Sequence, residues 1–178
     1  MRRRLTALLV LAVLACAGAV AVSSAHGERT TAARIPAIPL SARTTADRCP
    51  IPGRFRPAFA AAATDTNLPL GLLTAVAEVE SRFRPGAQSK AGAQGLLQVM
   101  PTTAAELQLD AADSSSNVLA GARYLQWLLA RFGSTDLALA AYNAGPTAVA
   151  RAGGAPTLET VTYVANVNRA WRRVQGCA

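Results

Sequence analysis

A chain of 178 residues, 51% hydrophobic but only 5% aromatic, is long enough for one domain once any leader is set aside. Its net charge of +8 is unevenly placed. Arg2, Arg3, Arg4 and the four arginines of residues 26–48 carry most of the excess, and from Cys49 onward 11 basic residues face 8 acidic ones, so no nucleic-acid-binding stripe is indicated. The single histidine, His26, lies ahead of the domain, which leaves no Ser-His-Asp or Cys-His site to build inside it. With no histidine there and few cysteines, no zinc site is expected either, and no metal or cofactor is assigned.

Residues 1–25 read as a secretion signal: three arginines, an apolar run from Leu5 to Val22, then Ser23 and Ala25 as small residues at a cleavage site. Two other readings stay open. Val13-Leu14-Ala15-Cys16 loosely resembles a lipobox, and the run is just long enough to remain as a membrane anchor. Each places the rest of the chain outside the cytoplasmic membrane, secreted or held at the cell envelope. Residues 26–48 lack periodicity and form a flexible linker. The domain then spans 49–178. With Cys16 removed or lipidated, Cys49 and Cys177 remain at its two edges, and an oxidising exterior pairs them.

From Cys49 the chain reads as successive helices. Arg56 to about Asn67 is alanine-rich, and Pro69 opens the next helix at a position where its missing N–H costs nothing. In that helix Leu72, Val76, Val79 and Phe83 share one face. Glu80 falls beside this stripe, at the edge of a core, whereas Glu78 falls opposite, where it can pair with Arg82 four residues on. A carboxylate drawn out of water resists ionising, which makes Glu80 a candidate general acid.

Pro85 closes this segment, and Gly92 and Gly95 then let backbone approach a neighbour or a ligand closely. Leu96, Leu97, Val99 and Met100 return to apolar character with Gln98 among them. A short helix starts at Pro101. Asn117 to Phe132 is amphipathic, with Val118, Leu119, Ala122, Leu125, Leu128 and Leu129 at helical spacing. Ser134 caps a helix running to Tyr142. Pro156-Thr157 starts the last one, with Val161, Val164, Val167 and Trp171 on one face. No stretch alternates as a strand, so the class is all-α, one domain.

Four segments together resemble soluble lytic transglycosylases, peptidoglycan-cleaving enzymes with a lysozyme-like fold. They are Glu80-Ser81; Ser89, Gly92-Ala93, Gly95-Leu96, Gln98 and Met100-Pro101; Ala141-Tyr142-Asn143-Ala144-Gly145-Pro146; and Glu159-Thr160 with Tyr163-Val164. Asn117, Gly121, Tyr124 and Leu125 fit the helix between, so the match runs from about residue 55 to 170. Leu97 departs from the family, which often has Met there.

The resemblance implies a lysozyme-like groove in which Glu80 serves as acid and then base on the bond between N-acetylmuramic acid and N-acetylglucosamine. It implies that no second carboxylate is needed, because the substrate's N-acetyl group steadies the cation and the muramic 6-hydroxyl closes an anhydro ring. It further implies that Ser89 and Gln98 bond sugar or N-acetyl groups, that Met100 packs beside the acid, and that Tyr142 sets its hydroxyl near the reacting centre with Asn143 in support. Glu159 and Tyr163 line or brace the cleft; a plainer reading of Glu159 is a first-turn acid favoured by the helix dipole. The implied partner is the peptidoglycan glycan strand, bound by a monomer, with the membrane reached only through an N-terminal anchor or lipid. A muramidase that hydrolyses the same bond and a non-catalytic wall-binding module are the alternatives.

Overall fold

The structure is a computed structural model that describes residues 49–177; the expected signal at 1–25, the linker at 26–48 and Cys16 lie outside the described residues. A single 3₁₀ turn, Gly53–Phe55, leads into seven helices: α1 (Arg56–Thr66), α2 (Leu70–Glu80), α3 (Pro101–Glu106), α4 (Ser114–Phe132), α5 (Thr135–Ala144), α6 (Pro146–Ala152) and α7 (Leu158–Arg173). Among the described residues there is no strand, only isolated bridges pairing Gln94 with Gln88 and with Val99. The all-α expectation holds.

The core is built around α2 and α5. Seven consecutive residues of α2, Gly71 to Ala77, are buried, as are Ala138 to Ala141 of α5. Helices so enclosed need small residues on the sides where neighbours come close, and alanine, threonine and glycine supply them. At Gly71 a Cβ would stand 2.8 Å from the Val174 carbonyl oxygen, so only glycine lets α2 lie this close to the end of α7. Helix α5 packs on α4, α6 and α7, α2 packs on α7, and α1 packs on α4. Phe59, Leu72, Leu96, Leu125, Leu139 and Val167 fill the centre, none more than 2% exposed.

Local signals set most boundaries. Asp113 accepts the Ser116 amide at 2.8 Å and starts α4 three residues earlier than the apolar spacing predicts. Ser134 caps α5 and Thr157 caps α7, each accepting an amide of the first turn. Left-handed Gly133 and Gly153 end α4 and α6. The disulfide joins Cys49 to Cys177, with Cα atoms 5.2 Å apart, and ties the two edges of the domain.

Three expectations are corrected. Helix α2 stops at Glu80, so Phe83 does not continue its stripe: Arg82 and Phe83 adopt left-handed backbone, with φ of 52° and 58°. Phe83 instead folds back onto Phe59, ring centroids 6.1 Å apart. With the helix ended, Arg82 is no longer one turn from Glu78, and Glu78 pairs with Arg173 of α7. On α7 the buried face is Thr160, Tyr163, Val167 and Ala170, while Val161 is 50% exposed. The valine spacing misplaces that face because Tyr163 goes inward to bond Glu80 of α2, while Thr160 bonds Thr157 within its own first turn. Helix α6, between Gly145 and Gly153, was not anticipated; seven residues are too few for a periodic pattern.

Candidate active site

Glu80 is the last residue of α2, three positions beyond the buried run Gly71 to Ala77, where the helix emerges from the core. Its carboxylate accepts a hydrogen bond of 2.6 Å from the Tyr163 hydroxyl of α7. Burial pushes the Glu80 carboxyl up to about 7, and the Tyr163 bond, which favours the charged form, opposes this only in part. Near neutrality the group therefore exists in both protonation states. Burial also drives the Tyr163 and Tyr142 phenols well above their ordinary range, with the nearby Glu80 charge adding to it, so both remain hydrogen-bond donors.

The segment from Ser81 to Met100 wraps over this helix end and is fixed by side chains from three directions. Ser81, buried, donates to the Leu96 carbonyl at 2.8 Å and so fastens the returning chain to the residue after Glu80. Asn117, fully buried on α4, accepts the Leu97 amide at 2.9 Å and donates to the carbonyls of Gln94 and Ala111, each at 2.8 Å. Tyr142 of α5 donates its hydroxyl to the Leu97 carbonyl at 2.8 Å. Both polar groups of Leu97 are thus held, one from α4 and one from α5. Gly121 permits this closeness: a Cβ there would lie 2.6 Å from Leu97 Cδ1 and 2.9 Å from the Tyr142 hydroxyl.

Of the residues expected at the site, Gln98, Met100, Tyr142 and Asn143 line one 260 Å³ cavity, whose wall does not include Glu80. Tyr142 links the two, since its phenol feels the Glu80 charge while its ring lines the cavity. Gln98 donates both amide hydrogens to the loop, to Ala87 and Gly95 carbonyls at 3.1 and 3.0 Å, which leaves its side-chain oxygen for a ligand. Met100 is 39% exposed at the rim. Ser89 and Glu159 stand apart from this group. The Ser89 hydroxyl accepts the Ala93 amide at 3.0 Å and closes a turn of the loop. Glu159 is exposed in the first turn of α7, where the helix dipole favours an acid.

Asn117 and Ser81 carry the site's framework, and sequence reasoning passed over both as site residues. The signal available was a polar residue on an otherwise apolar face: Asn117 belongs to the stripe continued by Val118, Gly121 and Leu125, and all four are buried. A buried amide must find partners.

The model of the transglycosylase SLT domain matches residues 57–159, more than half of the chain. The chain belongs to that family. Within it, the SLT domain described here is 40% identical over 86 residues to a transglycosylase of Enterobacteria phage PRD1, covering 48% of this chain and 32% of the phage protein. It is 34% identical over 128 residues to the soluble lytic murein transglycosylase of Escherichia coli K12, covering 56% of this chain and 20% of the other. Among solved structures, an inactive mutant of lytic transglycosylase Slt from Pseudomonas aeruginosa, with a glutamate replaced by glutamine, superposes with a TM-score of 0.62 at 29% identity. That superposition covers 70% of this chain and 24% of the other. The SLT domain chain thus spans at most about a third of the length of these relatives.

Proposed function

We propose that residues 49–178 form a peptidoglycan lytic transglycosylase that cleaves the β-1,4 bond between N-acetylmuramic acid and N-acetylglucosamine. The observation that carries this reading is Glu80: a half-buried carboxyl at the end of α2, raised to about 7, held by one phenol and close enough to the cavity-lining Tyr142 for that phenol to feel its charge. Protonated, it donates to the bridging oxygen as the bond to the muramic C1 breaks, and the substrate's acetamide oxygen steadies the cation at C1. The resulting carboxylate takes the proton from the muramic 6-hydroxyl, whose oxygen bonds to C1. The proton returns to Glu80, the chain leaves with a 1,6-anhydro end, and no water is consumed.

A group that gives and then regains one proton works best with a pKa near the ambient pH, which is where burial puts Glu80. The Tyr163 hydroxyl bonds the carboxylate at 2.6 Å and holds its orientation. Gln98 offers its oxygen to an acetamide N–H, Asn143 and Met100 form the cleft wall, and Tyr142 holds the Leu97 segment in place. Ser89 acts through the turn it closes. The names of the phage and bacterial relatives support the reaction, and the inactive glutamine mutant of the Pseudomonas enzyme, in which a glutamate is needed, supports a glutamate as the working acid. A secreted or envelope-held protein fits the disulfide between Cys49 and Cys177. The leader at 1–25 and the linker at 26–48 complete the proposed arrangement, with the monomer as the working unit.

Mass spectrometry of products from purified peptidoglycan tests the reaction. The disulfide-bonded chain is expected to release fragments one water lighter than hydrolysis products, and Glu80→Gln to release none. Reducing fragments of full mass would mean a hydrolase, and undiminished release by the variant would remove Glu80 from the chemistry.

A further inference from the structure

The chain enters and leaves the domain at one place, because the disulfide joins Cys49 to Cys177. A groove of 540 Å³ opens beside that junction. Pro50 of the entering chain and Val174 near its exit form two of its walls, with Glu78, Arg82, Phe83 and Arg173 completing it. It shares no residue with the cleft lined by Gln98 and Tyr142, and the proposed reaction makes no use of it.

Arginines gather at this end. Arg56 donates through Nε to the Ile51 carbonyl at 3.2 Å, and Arg54 lies over the Phe55 ring, 4.7 Å from its centroid. Arg169, Arg172 and Arg173 fall in the closing turns of α7. Arg82 lines the groove from a backbone of positive φ, 52°, which a residue other than glycine holds only at a cost. All six are exposed. Two acids face them: Glu78 pairs with Arg173, and Asp136 of α5 accepts from Asn168, one turn before Arg172. Six positive charges against two negative ones leave +4 here, whereas the other five cations and six acids of residues 49–177 come to −1. Folding does not call for this imbalance, since Arg173 is the only one of the six in an ion pair among the described residues.

The surroundings select the partner. Of the large apolar side chains left in solvent, Leu158 and Val161 lie at the opposite end of α7, and Met100 and Trp127 line other cavities. This face therefore has nothing to insert into a bilayer. Nor does the groove offer a nucleic-acid base an open ring to stack on, because Phe83 is half-buried against Phe59. Residues 26–48, with four arginines against two acids, carry the wrong charge to fill it. Guanidinium forks match the paired oxygens of a phosphate. A groove ringed by arginines from three segments suits a strand whose charge recurs at every link, as a phosphodiester chain's does, whereas a stem-peptide carboxylate brings its charge to one spot. We propose that this end of the domain docks a phosphodiester-linked anionic polymer of the cell envelope, outside the catalytic cleft. The docking rests on the proposed envelope location and is independent of the cleavage step.

The disulfide-bonded chain is titrated calorimetrically with synthetic poly(glycerol phosphate). Saturable binding that weakens as salt is added is expected. Arg82→Gln combined with Arg172→Gln, which leaves the Glu78–Arg173 pair intact, should weaken binding about tenfold. Lys90→Gln combined with Arg151→Gln removes the same charge elsewhere and should leave binding nearly unchanged. No binding at low salt, or an equal loss in both double variants, would overturn the site. Poly-L-glutamate binding as tightly as the phosphate polymer would overturn the phosphate assignment in favour of carboxylates. Phosphatidylglycerol vesicles binding where the polymer does not would make the partner a membrane surface instead. Release of anhydro fragments from polymer-free peptidoglycan should be the same for the Arg82/Arg172 variant and the parent. Absence of those fragments with polymer binding intact would sink the proposed reaction and leave the docking site standing.

Discussion

Glu80 has one strong reason to be where it is and a measurable energetic consequence. Burial penalises the charge and pushes its carboxyl up to about 7 in the fold, against an ordinary value of 4.5. The folded state therefore binds more protons than the unfolded state between those values, and stability must fall as pH rises through that window. The full penalty above pH 7 is about 3 kcal/mol, from the difference between the two values. Glutamine keeps the shape and carries no charge. Chemical denaturation at pH 5 and pH 8 is expected to show the parent losing up to about 3 kcal/mol that Glu80→Gln does not lose. Parallel pH profiles for the two proteins would mean that Glu80 ionises freely in the fold. Under the proposed reaction the same deprotonation makes catalysis decline above about pH 7.

At the scale of elements, the site depends on a long connection held open and still. The segment Ser81–Met100 makes almost no regular structure, yet Leu96, Leu97 and Val99 within it are buried. Many of its backbone groups pair within the segment, as Gln94 does with Val99 and Gly95 with Ala87. Asn117 ties it to α4 through the Leu97 amide and the Gln94 carbonyl while also holding the Ala111 carbonyl. Asn117→Ala would leave the Leu97 amide and the Ala111 carbonyl without partners in a dry setting, while the Gln94 carbonyl keeps the Val99 amide. A loss of about 2–4 kcal/mol is expected in urea unfolding, with hydrogen exchange at Leu97 accelerated well before global unfolding. A loss below about 0.5 kcal/mol would show that Ser81 and Tyr142 suffice to hold the segment. Gln98, also left-handed with φ of 47°, tolerates that backbone because its own side chain clamps Ala87 and Gly95.

Across the whole molecule, the disulfide closes a loop of 128 residues, so nearly the entire domain lies between its two cysteines. In the chain-entropy picture such a closure is worth roughly 4–5 kcal/mol, acting on the unfolded chain. It also holds the end of α7 beside the start of the domain, near the Glu78–Arg173 pair that joins α7 to α2. Replacing both cysteines by serine is expected to lower stability by about 2–5 kcal/mol while the far-ultraviolet helical signal at 20 °C persists. A protein of unchanged midpoint would place the stabilisation in the helix packing alone. Because α2 carries Glu80 and α7 carries Tyr163, the α2–α7 contact also sets the 2.6 Å bond between them.

Several features were legible before any coordinates. The helical class, the cap at Ser134, the start of the last helix at Pro156-Thr157, the pairing of Cys49 with Cys177 and the placing of Glu80 at a core edge all follow from spacing, local hydrogen-bonding capacity or residue chemistry. Such properties depend on neighbours along the chain, and apolar periodicity reports them directly. The end of α2 at Glu80 was not legible, because it is set by Ser81 reaching fifteen residues ahead to Leu96. The inward face of α7 was misjudged for the same reason: valines outrank tyrosine in any hydrophobic pattern, but Tyr163 is drawn inward by Glu80 from 83 residues away. Glu78 likewise found Arg173 across the molecule rather than Arg82 beside it. What the sequence by itself determined was which segments become helices and which acid is half withdrawn from water. Which polar groups meet to tune that acid was decided only by the tertiary structure, because a buried hydrogen bond needs partners that the chain order does not place side by side.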